Sequence, residues 1–166
     1  TGDVPFSVNV ELATCPWNEE HKLARIALRG REFETEQRPA SNLVFLLDVS
    51  GSMHSADKLP LVKSALKLLV EKLDENDRIA IVVYANGSGL ALDSTSADNS
   101  PVILSALGRL SAGGSTNGGE GIELAYDVAV ENFIQGGVNR VILCTDGDFN
   151  LGMTNQSELT RLIETK

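Results

Sequence analysis

The sequence is poor in the residues that build disulfide frameworks and transition-metal sites. Its 166 residues include two cysteines, Cys15 and Cys144, and two histidines, His21 and His54. Two cysteines are too few for a disulfide framework or for a zinc site built on cysteine. The histidines share no CxxC or HExxH spacing with other residues, which argues against a zinc hydrolase or protease. Any metal site in this chain is therefore expected to consist of oxygen ligands.

The chain also lacks a long apolar run and an excess of basic charge. No stretch approaches the roughly 18 apolar residues of a membrane-spanning helix. Fourteen Lys and Arg against 23 Asp and Glu give a net charge of −9. This balance argues against binding to nucleic acid or anionic lipid, since both require a basic face. A length of 166 residues with 42% hydrophobic residues is typical of one globular domain, or of one domain with a short appendage.

The first 30 residues predict a small β segment. Residues 6–12 alternate apolar and polar side chains, as a half-buried strand does, and a second strand is predicted around 23–29. We interpret residues 1–30 as a β-hairpin appendage, which needs a neighbour to pack against because a lone hairpin is marginally stable in water. The polar, proline-containing residues 31–42 predict a linker.

From residue 43 onward the pattern changes to alternating strands and helices. Continuous apolar runs predict buried strands at 43–47, 78–85 and 139–145, and apolar residues three and four apart predict an amphipathic helix at 57–73. The other predicted elements are a short edge strand at 89–95 and helices at 101–110, 118–134 and about 156–165. This order predicts an α/β sheet layered by helices. The lysines of the first helix are expected to form a solvated face: Lys58, Lys63, Lys67 and Lys72.

Three segments place oxygen-bearing side chains just after a strand or in a glycine-rich loop. DVSGS at 48–52 follows the first buried strand, GGSTNGG at 113–119 precedes the long helix, and TDGD at 145–148 follows the last predicted strand. Ligands of open α/β sheets bind beyond the carboxyl ends of the strands. Asp48 and Asp146 would therefore meet at one edge of the sheet if the strands that precede them are neighbours.

Two carboxylates and several hydroxyls in a glycine-rich pocket suit a hard divalent cation, chiefly Mg²⁺, with Mn²⁺ or Ca²⁺ as alternatives. Only two formal negative charges would surround such an ion, so one coordination position would stay open to a carboxylate from outside. Simpler interpretations exist for single residues. Asp48 alone could be a turn or helix cap, and the segment from Asp146 to Asn150 mimics the start of an EF-hand calcium loop with its glycine one position late.

These segments resemble the metal-ion-dependent adhesion site of the von Willebrand factor type A family. The family's motif has the form D-x-S-x-S followed by a distant Thr and a distant Asp, and DVSGS, Thr116 and Asp146 match it in order. The resemblance implies that the hydroxyls of Ser50, Ser52 and Thr116 bind the ion. Asp48 and Asp146 would then act largely through bound waters.

The resemblance covers about residues 41–166. It implies a Rossmann-like, mostly parallel sheet flanked by helices, whose last strands and helix would follow Lys166. On this basis residues 43–166 form the main domain after the hairpin and the linker. The CPWN turn, the RPASNLVFLLDVSGSM run and TDGDFN further resemble a bacterial cell-envelope subfamily with an extra N-terminal β segment. That likeness implies a location in the cell envelope or otherwise outside the cytoplasm.

The function implied by the resemblance is divalent-cation-dependent protein binding, in adhesion or complex assembly, without enzymatic activity. The bound metal would accept an acidic residue of a protein partner. One alternative is a metal-free scaffold domain. Another is a Mg²⁺-dependent phosphotransferase with Asp48 as nucleophile, but such enzymes expect a second acidic residue where Ser50 stands, and no lysine lies near the glycine-rich loop to hold a phosphate.

Overall fold

The computed structural model describes residues 6–30, 38–114 and 119–147. The chain divides into two compact units, Thr1–Arg38 and Pro39–Lys166. The predicted helix at 156–165, Thr116 and Asp148 lie outside the described residues. Within the described part of the chain, no helix is long and apolar enough to cross a membrane.

The first unit contains the predicted antiparallel hairpin. Strand β1 (Phe6–Thr14) pairs with β2 (Lys22–Gly30), from Phe6 opposite Gly30 to Thr14 opposite Lys22. Directly opposite residues share a face of the pair. This register therefore places most of the large apolar side chains on one face, together with Ala24: Phe6, Val8, Val10, Leu12, Ile26 and Leu28. The alternation that predicts the first strand therefore gives the hairpin one largely apolar face and one more polar face.

The second unit is built on a four-stranded sheet. Its central strand, β3 (Ser41–Asp48), pairs in parallel with both β4 (Arg78–Tyr84) and β6 (Val138–Cys144). Strand β5 (Ser88–Ser96) runs antiparallel along the outer side of β4, so the order is β5-β4-β3-β6. The mostly parallel α/β sheet is thus confirmed, and β5 hairpins back onto β4 as its turn sequence predicted.

Helices cover both faces of this sheet. They are α1 (Leu59–Val70), α2 (Ser100–Arg109) and α3 (Gly119–Glu131), and a short 3₁₀ helix spans Gly51–His54. One apolar cluster packs alternate residues of β3, such as Phe45, against α1 and α2. The other packs the intervening residues, such as Leu46, against α3. Burial on both faces explains why β3 is a continuous apolar run rather than an alternating one.

Helices α1 and α3 are shorter than their apolar periodicity predicts, whereas α2 keeps its predicted length. Helix α1 was predicted at 57–73 but begins at Leu59, with a proline in its first turn. At its other end the amide of Lys72 donates to the carbonyl of Leu69 at 2.8 Å, so the last turn tightens into 3₁₀ geometry. Helix α3 ends at Glu131, three residues before its predicted end, with the same tightening where the amide of Phe133 donates to the carbonyl of Val130.

A buried aspartate joins three segments at the edge of the sheet where β3 and β4 begin. The side chain of Asp77 is fully buried. Its Oδ1 accepts the amide of Ser41 and its Oδ2 the amide of Asp74, each at 2.9 Å. Its backbone carbonyl accepts the amide of Ala97, just beyond β5. Asp77 therefore links the start of β3, the loop before β4 and the end of β5.

Replacing Asp77 with alanine is expected to lower the free energy of unfolding by about 2–4 kcal/mol, because two amides lose a charged acceptor inside the protein. Urea denaturation measures this loss. The matched control is Asp98→Ala, since Asp98 is exposed and its removal should change stability by less than about 0.5 kcal/mol. Equal losses in the two variants would contradict a structural role for Asp77.

Candidate functional site

The parallel register brings two of the predicted segments together. Asp48 lies opposite Tyr84 in the pairing of β3 with β4, and Leu47 lies opposite Cys144 in the pairing with β6. Strands β3, β4 and β6 therefore end at the same edge of the sheet. The loop that carries Asp146 leaves β6 directly beside the end of β3.

The carboxylate of Asp48 is fully buried and held by hydrogen bonds. Its Oδ1 accepts the amide of Ser50 at 2.8 Å, and its Oδ2 accepts the hydroxyl of Tyr84 at 3.1 Å. The hydroxyl of Thr145 lies 3.5 Å from the same Oδ2. These contacts fix the orientation of a charge that would be costly to bury alone. Asp48 is therefore a turn cap through its Oδ1, as the simpler interpretation holds. This role is compatible with the predicted role of Asp48 in a metal site.

The sequence pattern places Tyr84 only within a buried strand. Its side chain is fully buried. Burial raises the pKa of the Tyr84 hydroxyl well above its usual value, and the nearby carboxylates of Asp48 and Asp146 raise it further. Tyr84 therefore stays protonated and serves as a hydrogen-bond donor to Asp48. A lone tyrosine at the end of an apolar run gives no sequence signal for this role.

The two serines of the DVSGS segment lie side by side. The hydroxyl oxygens of Ser50 and Ser52 are 3.0 Å apart, with Ser50 buried and Ser52 exposed. The carbonyl of Ser50 accepts the amide of Met53, and this hydrogen bond forms the first turn of the 3₁₀ helix. This tight turn makes the two hydroxyls neighbours beyond the end of β3.

The glycine-rich segment is hydrogen-bonded to the DVSGS loop. The amide of Gly113 donates to the carbonyl of Val49 at 2.7 Å, and the amide of Gly51 donates to the carbonyl of Gly114 at 2.9 Å. Gly114 has a φ of 87°, and a Cβ at this position would lie 2.8 Å from the side-chain nitrogen of Asn86. The positive φ is the main reason for glycine at this position, and a larger residue would also have to displace the Asn86 side chain. Thr116 follows two residues later, outside the described residues.

Asp146 forms an ion pair with Lys58, the residue just before α1. Its Oδ2 lies 2.6 Å from the Nζ of Lys58, and the Asp146 side chain is only 7% exposed, against 34% for Lys58. The prediction that Lys58 belongs to a solvated face was wrong. Lys63 remains partly exposed on this face, and its Nζ donates to the carbonyls of Gly108 and Leu110 at the end of α2. Helical periodicity shows which side of a helix is polar but not what a long side chain reaches.

The donor set at this edge fits a hard cation. All the groups are oxygens: the carboxylates of Asp48 and Asp146 and the hydroxyls of Ser50 and Ser52. Among the described residues no group of three or more His, Cys, Asp or Glu side chains forms a metal cluster.

A groove of about 450 Å³ runs beside the site, between the 3₁₀ helix, α1 and the segment after α2. Met53 and Leu59 contribute apolar surface, and His54, Lys63 and Lys67 contribute basic groups. Among the described residues that line it, none is acidic, although the whole chain carries a net charge of −9. The groove is thus a local exception to the acidic character of the protein.

Comparison with known proteins agrees with this architecture. Residues 43–148 match the model of the von Willebrand factor type A domain. The Escherichia coli protein YfbK is 48% identical over 161 residues, which are 97% of this chain and 28% of YfbK. The chain therefore spans less than a third of this relative's length.

Solved structures share the fold, and two of them illustrate the similarity. A von Willebrand factor type A protein from Catenulispora acidiphila superposes with a TM-score of 0.61 at 21% identity, covering 87% of this chain and 33% of the other. The PilB minor pilin from Streptococcus sanguinis superposes with a TM-score of 0.58 at 15% identity, and the match covers 89% of this chain and 48% of the pilin chain. At these identities the similarity shows the fold alone.

Replacing Tyr84 with phenylalanine is expected to lower the free energy of unfolding at pH 7 by about 1–2 kcal/mol, because Asp48 loses a buried donor. The difference in free energy of unfolding between the wild type and this variant should become smaller above pH 10, the ordinary pKa of tyrosine. There the unfolded tyrosine loses its proton while folded Tyr84 keeps it, so the wild type alone loses this stability, by up to about 1.4 kcal/mol per pH unit.

Urea denaturation of both proteins at pH 7 to 11, with EDTA present, measures this difference in free energy of unfolding. The comparison with the phenylalanine variant cancels the effect of every other group that titrates in this range. A difference in free energy of unfolding that stays constant from pH 7 to pH 11 would contradict the raised pKa of Tyr84.

Proposed function

Because the chain belongs to the von Willebrand factor type A family, whose domains commonly mediate protein–protein interaction, we propose that it is a divalent-cation-dependent protein-binding module. The observation that carries this proposal is the meeting of Asp48, Asp146 and the paired serine hydroxyls at one edge of the sheet. A metal held there would accept an acidic residue of a partner protein, in adhesion or complex assembly.

In this proposal the hydroxyls of Ser50, Ser52 and Thr116 bind the ion, and Asp48 and Asp146 act largely through waters. When bound, the ion supplies a positive charge with a coordination position open to a carboxylate. Mg²⁺ suits hydroxyl and carboxylate oxygens and retains waters readily, and Mn²⁺ or Ca²⁺ are alternatives.

The protein's own residues keep the ligands in place. The amide of Ser50 and the hydroxyl of Tyr84 hold the Asp48 carboxylate from two sides. The hydrogen bonds of Gly113 and Gly114 to the DVSGS loop tie the start of the glycine-rich segment to the site. Ligands fixed in advance lose less entropy when the ion binds.

The charge distribution supports an acidic partner. A net charge of −9 repels an acidic protein at long range. The groove beside the site contains Lys63 and Lys67, and the part of the chain that the structure describes adds no acidic side chain to it, so it reverses that repulsion locally. A partner segment with one carboxylate on the metal and further acidic or apolar side chains in this groove fits both features. The resemblance of the CPWN turn and the RPASNLVFLLDVSGSM run to a bacterial cell-envelope subfamily supports a location in the cell envelope or outside the cytoplasm.

The second candidate function is a metal-free scaffold. One observation favours it: the ammonium of Lys58 neutralises Asp146 without any ion. A scaffold would use the same fold for protein contacts, and its stability would not depend on divalent cations.

Thermal unfolding with MgCl₂, MnCl₂, CaCl₂ or EDTA tests the metal site. An ion at about 100 times its Kd stabilises the native state by about 2.7 kcal/mol, which corresponds to a rise in Tm of roughly 5–10 °C for a domain of this size. Ser52→Ala removes one hydroxyl without changing the charge and is expected to lose most of this rise. The control is Ser64→Ala on the exposed surface of α1, which should keep it.

A rise in Tm that Ser52→Ala loses and Ser64→Ala retains would support the metal site. Unchanged Tm values in all three proteins at saturating ion concentrations would contradict it and favour the scaffold. An equal rise in all three would mean that the ion binds elsewhere.

Binding of a carboxylate to the metal can be tested with Mn²⁺. Water on protein-bound Mn²⁺ enhances the relaxation of bulk water protons, and a carboxylate that replaces this water lowers the enhancement. We expect acetate to lower it and acetamide, its neutral analogue, to leave it unchanged at the same concentration. Equal effects of the two probes would contradict an open position selective for carboxylate.

A further inference from the structure

The contact between Lys58 and Asp146 joins two segments that are 88 residues apart in sequence. The backbone of Lys58 is fixed on both sides, since its amide donates to the carbonyl of Ser55 and its carbonyl accepts the amide of Val62, both at 3.0 Å. The side chain therefore starts from a defined point at the beginning of α1. It extends to a carboxylate that is almost inaccessible to solvent.

We propose that Lys58 is a tethered competitor of the divalent cation, whose ammonium neutralises Asp146 in the metal-free state and has to leave when the ion binds. This inference rests on the proposed function, because it concerns the same site. It makes Lys58 a residue that sets the affinity for the metal, although Lys58 is not itself a ligand.

Electrostatics favours competition over coexistence. The ammonium lies 2.6 Å from Oδ2 of Asp146, and an ion that uses this carboxylate would lie within a few ångströms of the same nitrogen. Even with the dielectric constant of water, charges of +2 and +1 about 5 Å apart repel each other strongly enough to weaken binding roughly tenfold.

The geometry also gives Lys58 a route away from the site. About a third of its side chain is exposed, and Asp57, the residue before it, is exposed as well. A displaced ammonium can therefore reach solvent beside another carboxylate without any change in the backbone. Lysine suits this exchange because its long side chain carries a flexible point charge.

The test is calorimetric titration of the full 166-residue chain with MgCl₂, together with thermal unfolding in EDTA. Lys58→Met keeps the length of the side chain and removes its charge, and it is expected to bind Mg²⁺ about tenfold more tightly than the wild type. In EDTA the same variant should melt several degrees lower, because a buried carboxylate has lost its cation. Lys58→Gln, a second neutral variant, should behave in the same way.

Two controls isolate the charge of Lys58. Lys72→Met, an exposed position beyond the far end of α1, changes the net charge equally and should alter the Mg²⁺ affinity by less than about twofold, because that distance exceeds the screening length in physiological salt. Lys58→Arg keeps the positive charge and should bind Mg²⁺ as weakly as the wild type.

The outcomes separate this inference from the proposed function. If the wild type binds Mg²⁺ and the neutral variants bind it no more tightly, competition by Lys58 is wrong while the metal site stands. If neither the wild type nor any variant binds Mg²⁺, the proposed function fails and this inference fails with it. Tighter binding by Lys58→Arg as well would overturn the inference, because the charge would then be irrelevant.

Discussion

The parallel pairing of β3 with strands on both sides is the constraint on which the rest of the structure depends. It buries β3 on both faces, and it makes three strands end at one edge of the sheet. Polar residues that follow those strands then lie together, although Asp48 and Asp146 are far apart in sequence. The apolar packing of the sheet and the polar edge are therefore consequences of the same register.

The polar edge is stable because its charges are compensated locally. Asp48 is held by an amide and by a tyrosine hydroxyl that stays protonated, and Asp146 is held by an ammonium. An uncompensated carboxylate at either position would cost several kcal/mol. The metal-free protein can thus retain two nearby carboxylates at one edge of its sheet. The same arrangement has a cost for metal binding, since a cation has to compete with an internal one.

Much of the fold could be predicted from the sequence, because apolar runs and helical spacing are direct consequences of burial. The strands, the edge hairpin and the first three helices lie within a few residues of their predicted positions. Asn42 shows where this reasoning stops. It was read as linker, but it lies in β3, where its fully buried side chain donates to the carbonyl of Ala129. The placement of Asp48, Ser50 and Asp146 follows from strand order, whereas the roles of Tyr84 and Lys58 depend on side-chain contacts between distant segments, which leave no local pattern.

The central claim is that a divalent cation binds where β3 and β6 end. Diffraction from crystals grown with Mn²⁺, at a wavelength that gives an anomalous signal from manganese, locates the ion directly. The account predicts one strong anomalous peak within bonding distance of the Ser50 and Ser52 hydroxyls, with the ammonium of Lys58 moved away from Asp146. A map without a peak at this edge of the sheet, at an Mn²⁺ concentration that saturates the protein in solution, would contradict it.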